Sequence, residues 1–198
     1  MTWSLLVSVA VFSFVTSVTP GPNNTFLLSS GANFGLRKSL PYLNGIMAGL
    51  SGMMIALGAG LGVIFTTLPL VYQVLKWVGF AYIVWLAFQI VKSTSKSETA
   101  EPKYIGFAKA TTFQFVNPKA WVVVASFMAT SVPVGSGLGA TAFICLVFLV
   151  FTYPGALLWA VAGQVLKTWL SDPIRRRIFN IVASILLVLS MVPVLFLH

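Results

Sequence analysis

Thr19-Pro20-Gly21-Pro22-Asn23-Asn24 interrupts a hydrophobic run that extends from Trp3 to Phe34. Proline removes a backbone donor and clashes with the preceding turn, and a glycine between two prolines frees the chain to bend. The run therefore reads as two half-helices. Pro22 suits the first position of the second, where its missing N–H is no loss. A matching interruption, Asn117-Pro118-Lys119, lies inside the run from Phe107 to Ser131. There Asn117 can cap and Pro118 can open a new helix. Each break should expose free N–H groups with a partial positive charge beside the free carbonyls of the half-helix before it.

The solvent around these breaks is lipid. Of 198 residues, 58% are hydrophobic and 8% charged. A soluble domain of ordinary composition carries about 25% charged residues, so this chain lacks the charge to cover a surface in water. A bilayer core needs about 20 apolar residues per helix. Six stretches qualify: Trp3 to Phe34, Leu43 to Thr66, Leu70 to Val91, Phe107 to Ser131, Gly137 to Leu166 and Ile178 to Leu197. Backbone groups in lipid must bond within their own segment, which forces helix. A barrel would need polar/apolar alternation, and Ala142 to Val150 has none. The expected fold is an all-α integral membrane protein with six transmembrane helices. The N-terminal run lacks the basic start of a signal peptide and is read as the first span.

The net charge of +9 raises the question of a nucleic-acid partner, and the placement of the charges argues against one. Arg37 and Lys38, then Lys92, Lys96, Lys103 and Lys109, then Lys167 and Arg175 to Arg177, fall in three segments on one side of the six-span layout. Lys76 can snorkel to the opposite interface, and Lys119 lies inside a span. The positive-inside rule puts the three basic segments in the cytoplasm and both termini outside. Arg175 to Arg177 suits anionic lipid. The single cysteine, Cys145, allows no disulfide within the chain. No metal or cofactor is expected.

Ser93 to Tyr104 is polar and divides the chain near its middle. One transmembrane domain, 1–198, is expected to consist of a three-helix repeat (1–92), a cytoplasmic linker (93–105) and a second three-helix repeat (106–198). Three is odd, so the second half enters the membrane from the opposite side. Two inverted three-helix repeats, each opening on a broken helix, follow a common transporter plan.

An α-amino acid zwitterion needs what two such breaks offer. Its carboxylate suits helix N-termini, and its ammonium suits carbonyl ends. The substrate-binding candidates are Pro20, Gly21, Pro22, Asn23, Asn24, Gln114, Asn117, Pro118 and Lys119. Lysine within a span is a functional candidate by default; Lys119 stands beside the expected anion site, with anchoring at the cytoplasmic face as the rival reading. For Pro20 to Pro22 the rival is a kink without ligand contact. Gln114, Asn44 and Asn180 either bond neighbouring helices or line the route. The only acids, Glu98, Glu101 and Asp172, fall in expected cytoplasmic loops. A cationic substrate would want a buried acid, so neutral zwitterions fit better, and the usual carboxylate proton relay is missing. Gly45, Gly49 and Gly52, then Gly58, Gly60 and Gly62, give the second span a small-residue face for close helix approach, within one subunit or between copies in a homo-oligomer. Tyr153-Pro154-Gly155 should bend the fifth span, either for shape or as a hinge. Trp77 and Trp169 fit interfacial belts.

With Thr19-Pro20-Gly21-Pro22-Asn23 in the first span and Asn117-Pro118-Lys119-Ala120 in the fourth, the chain resembles the lysine-exporter/homoserine–threonine efflux family of bacterial inner-membrane transporters. Gly31 to Arg37, Gly45 to Gly49, and Lys76-Trp77-Val78-Gly79 through Tyr82 and Trp85 support the resemblance, which covers essentially the whole chain. It implies export of amino acids or their derivatives, a process described as proton-driven. Phe113-Gln114-Phe115-Val116-Asn117 is most similar to the cysteine/O-acetylserine exporter branch. Many members carry an acid in the second span after the glycine-rich turn. Here the run is Gly49-Leu50-Ser51-Gly52, which argues against a cationic substrate.

Two rival classes remain. A membrane enzyme would need an embedded nucleophile with a base, or an aspartate pair, and the spans offer at most a serine with Lys119. A non-transporting structural or regulatory subunit would have a filled core at the breaks.

Overall fold

The computed structural model describes residues 2–61, 104–132 and 137–189, together with scattered positions between 70 and 88. No strand occurs among the described residues. The helices are α1 (Trp3–Val18), α2 (Pro22–Phe34), α3 (Leu36–Ala56), α4 (Phe107–Val116), α5 (Pro118–Ser131), α6 (Leu138–Leu166) and α7 (Pro173–Leu189). The described positions from 70 to 88 are also helical. Leu36–Ala59 and Leu138–Leu166 are each long and apolar enough to cross a membrane, and α1 with α2 passes the same test as a pair bent by 61°.

Both expected breaks are present. α1 stops at Val18 and α2 starts on Pro22; α4 stops at Val116 and α5 starts on Pro118. Other boundaries move. The second span starts at Leu36, so Arg37 and Lys38 belong to the helix, not to a loop before it. Gly35 makes this possible. Its φ of +82° belongs to the left-handed region that side chains disfavour, and it turns α2 directly into α3. After Ala56 the backbone widens into a π turn, Leu57–Leu61. α7 begins at Pro173, and Arg175 to Arg177 therefore lie on its first turns. Three basic residues would be unfavourable at a helix N-terminus, but Asp172 caps it, its carboxylate accepting from the N–H groups of Ile174 (2.8 Å) and Arg175 (3.2 Å). α6 continues as one helix through Pro154. Lys76 of the third span, the lysines at 92, 96 and 103 after it, Gly62 and the residues after Leu189 lie outside the described residues.

Glycine sets the helix spacing. A Cβ on Gly163 would collide with the Leu28 carbonyl, and one on Gly31 with the Ala160 carbonyl, so α2 and α6 cross with backbones in contact. Gly155 of α6 meets the Ser17 side chain of α1. The small face expected on the second span works within the subunit: Gly45 lies against the Phe107 carbonyl and Ala110, and Gly49 against Gln114, all on α4. Thr111 Oγ1 adds a hydrogen bond to the Gly45 carbonyl, 3.2 Å. Gly58 has nothing within 4 Å of an added Cβ among the described residues. The core between these contacts holds Leu27, Leu43, Met53, Val124, Phe127 and Phe148, all almost completely buried.

The turn between α2 and α3 lies beside the end of α6 and the residue Tyr104 ahead of α4. Gln164 near the end of α6 accepts from the Leu36 N–H at 2.6 Å, and Phe34 stacks edge-on with Tyr104 at 5.7 Å. Arg175 lies 5.6 Å from the centre of the half-exposed Trp169 ring, a cation–π contact at the same end of α6.

Candidate functional site

The α1–α2 break builds its site from its own backbone. Thr19 N–H still reaches the Val15 carbonyl, 3.2 Å, and closes the last turn of α1. Asn24 folds back and donates its amide to the carbonyls of Ser17 and Thr19, both at 2.7 Å. Gly21 is fully extended and Pro22 takes the first helical position. The Thr25 N–H bonds the Gly21 carbonyl at 2.9 Å, while none of the described residues accepts from the backbone N–H groups of Asn23 and Asn24. The tip of α2 thus presents two free donors.

The α4–α5 break differs. Asn117 caps as expected, accepting from the Lys119 N–H at 3.2 Å through its side chain. Its carbonyl accepts from Ala120 and Trp121 at 3.0 and 3.3 Å. The first N–H groups of α5 are therefore consumed locally. Free donors were expected at both tips, and only α2 has them, because asparagine satisfies the tip that it caps whereas Gly21 has no side chain to do so. The Trp121 indole N–H covers the Phe115 carbonyl at 2.9 Å.

The Lys119 ammonium does not stay at the tip of its own helix. It crosses to the other break and donates to the Pro20 carbonyl, to the Thr19 carbonyl at 3.4 Å and to the Thr19 hydroxyl at 3.2 Å. Gly21 is what lets it pass: a Cβ there would lie 2.7 Å from Nζ. The ammonium thus occupies the carbonyl end that the sequence assigned to a ligand's ammonium. All its partners are neutral oxygens. Holding a partly buried cation without an anion is unfavourable, so the arrangement favours arrival of a negative group.

Between the breaks lies a cleft of about 70 Å³, room for a few water molecules. Gly21, Pro22, Asn23, Asn24, Asn117 and Lys119 form its polar wall, with Thr16 and Ser17. Ile46, Leu50, Val123, Phe148 and Ala156 form the apolar one. Three expected site residues stand elsewhere. Pro118 is buried in the first turn of α5, Pro20 is exposed and contributes only its carbonyl, and Gln114 lies behind Asn23. Gln114 is completely buried; it exchanges two hydrogen bonds with Asn23 (2.7 and 3.0 Å) and donates to the Ala110 carbonyl. Asn44 accepts from Tyr153 Oη at 3.1 Å, bonding α3 to α6 away from the cleft. A larger cavity of about 420 Å³ borders Phe26, Tyr42, Phe113 and Lys109. Its lining is mostly apolar and includes neither break, so the smaller cleft is the one with chemistry.

Thr152 was not foreseen. It borders the cleft from the middle of α6, is 6% exposed, and its hydroxyl has no hydrogen-bond partner among the described residues. Most helical hydroxyls here bond back to their own helix, such as Ser13 to Val9 and Thr16 to Phe12. An unsatisfied buried hydroxyl costs about 1–3 kcal/mol. One threonine in an apolar helix gives no sequence signal of this kind.

Two interrupted helices that meet around a small polar cleft are an arrangement found among membrane translocators. The chain belongs to the LysE type translocator family, which it matches over residues 14–197. It is thus a multi-pass translocator of the bacterial inner membrane and not an enzyme. Among its relatives are the cysteine/O-acetylserine efflux proteins of Salmonella typhimurium (strain LT2) and Escherichia coli (strain K12). Each is 33% identical over 190 residues, which cover 95% of this chain and 96% of the relative. That of Salmonella paratyphi A is 32% identical over the same span. No solved structure matches the chain significantly.

Proposed function

We propose that this protein exports small neutral amino acids or their close derivatives from the cytoplasm, binding them between the two helix breaks. The observation that carries the reading is the Lys119 ammonium held on the Thr19 and Pro20 carbonyls with no anion beside it among the described residues, next to the free N–H groups of Asn23 and Asn24. A zwitterion completes this set by exchange. Its ammonium takes over the carbonyls, Lys119 swings away from them, and its carboxylate gains both Lys119 and the tip of α2. Lys119 is then a tethered stand-in for the ligand's ammonium. The departing lysine chain adds space to the cleft beside Gly21. The relatives' names point to the same solute class.

The proposed architecture has six spans in two inverted halves, 1–92 and 106–198, joined by 93–105, with both termini outside. A reciprocal packing relation supports it: α3 of the first half lays Gly45 and Gly49 on the broken span of the second, and α6 of the second lays Gly155 and Gly163 on the broken span of the first. A non-transporting subunit would fill the space between the breaks; the open cleft favours transport.

The test is counterflow in proteoliposomes carrying the full chain, with labelled cysteine, O-acetylserine, serine and lysine. Saturable exchange of the neutral solutes and none of lysine is expected. Failure to move any amino acid under either a pH or a solute gradient would refute the reading.

A further inference from the structure

The cleft has a main-chain end and a side-chain end. Lys119, Asn23, Asn24 and the Thr19 and Pro20 carbonyls make up the first, which suits the groups that all α-amino acids share. What distinguishes one amino acid from another must face the remaining wall, where Ile46, Leu50, Val123 and Phe148 are apolar. Thr152 contributes the one hydroxyl in that wall that is buried and unpartnered among the described residues. The nearby Ser17 hydroxyl is already committed to the Phe14 carbonyl at 2.7 Å. Thr152 stands one helical turn before Gly155, the residue against which Ser17 packs, and lines the cleft together with Ser17.

We propose that Thr152 is the specificity-determining residue of the cleft: its hydroxyl hydrogen-bonds an uncharged oxygen or sulfur at the γ-position of the exported amino acid, inside a wall that otherwise accepts only hydrocarbon. This rests on the export reading above and narrows it to alanines bearing a β-hydroxyl, thiol or acyloxy group. The physical argument is one of balance. Binding such a solute pairs a hydroxyl that is otherwise buried alone, whereas a solute with a methyl in place of the heteroatom leaves it alone. A site built in this way discriminates between isosteres that an apolar pocket would accept equally. A charged side chain finds no counter-ion on this wall.

The test compares two solutes of nearly equal shape, serine and 2-aminobutyrate, in proteoliposomes of the wild type, T152V and T152S. Wild-type protein should exchange serine faster. T152V, which replaces the hydroxyl by a methyl, should lower the serine to aminobutyrate rate ratio about tenfold, as expected for loss of one hydrogen bond, and T152S should keep it. The thermal midpoint of T152V in detergent should equal or exceed that of wild type, because no partner in the fold is lost. An unchanged ratio in T152V overturns the proposal. So does a T152V protein that loses both rates and thermal stability together, since its hydroxyl then serves the fold. If the wild type moves neither solute while its family of neutral amino acids is also untouched, the export reading itself falls, and this one with it.

Discussion

Asn23 and Gln114 exchange two hydrogen bonds, Nδ2 to Oε1 at 2.7 Å and Nε2 to Oδ1 at 3.0 Å, although 91 residues separate them. The pair joins the first turn of α2 to the last turns of α4, so it links one helix break to the other. Gln114 has no exposed surface, and Gly49 of α3 lies directly against its side chain. Replacing Asn23 by alanine leaves the Gln114 Oε1 buried without a donor. That should destabilise the protein by about 1–3 kcal/mol. In a double-mutant cycle, N23A/Q114A should cost clearly less than the sum of the single changes. Thermal unfolding in detergent measures both, and simple additivity would show that the two amides act separately.

Lys119 should matter more for transport than for folding. In K119M the carboxylate of a bound zwitterion loses a charge-assisted partner, worth about 1.5–3 kcal/mol, which corresponds to a fall in exchange of about tenfold to a hundredfold. The thermal midpoint should not fall, because a partly buried ammonium with only neutral partners has been removed. G21A places a methyl 2.7 Å from Nζ and should displace the lysine without removing its charge. Equal loss of exchange and of thermal stability in K119M would assign the residue to anchoring.

The crossing of α2 and α6 leaves no room for a side chain. G163A would drive a methyl into the Leu28 carbonyl, and this neighbour is backbone, which cannot rotate away. A loss of about 3 kcal/mol is expected, with less protein recovered from the membrane. G58A serves as the control, since that position meets nothing within 4 Å. Comparable losses from both would mean that helix approach is not what Gly163 provides.

Asp172 should hold the start of α7 over a wide range of pH. The N–H groups of Arg175 and Ile174 bond its carboxylate and, with the Arg175 charge, hold its pKa below the usual aspartate value. A folded pKa lower than the unfolded one gives stabilisation that is present above the unfolded value and is lost as pH falls through the folded one. Amide exchange in the first turn of α7 should therefore stay slow through the ordinary carboxylate range and quicken only in stronger acid. D172N should remove that acid step. A step at the ordinary aspartate pKa would show that the cap does not form.

Much of this was legible along the chain. Pro22 and Pro118 open new helices, and Asn117 caps the second, because these effects act between residues two or three apart and depend on little else. Gly45 and Gly49 announced a close helix approach, though not that α4 would fill it. The direction of Lys119 was illegible. A lysine stem reaches several ångströms, and its end point depends on which oxygens another segment brings within range; here those belong to residues 99 and 100 positions away. Free donors were expected at both tips, and the side chain of Asn117 cancelled one set.

The sequence by itself thus determined that the chain lives in lipid, that it is helical, and where two of its helices break, since proline geometry and the need to satisfy backbone groups in hydrocarbon are local requirements. Only the tertiary structure decided that the two breaks meet, that Lys119 of one closes on the carbonyls of the other, and that Thr152 borders the space between them. These depend on glycine crossings that bring distant helices into backbone contact, and a pairing between distant residues leaves no trace in the neighbours of either.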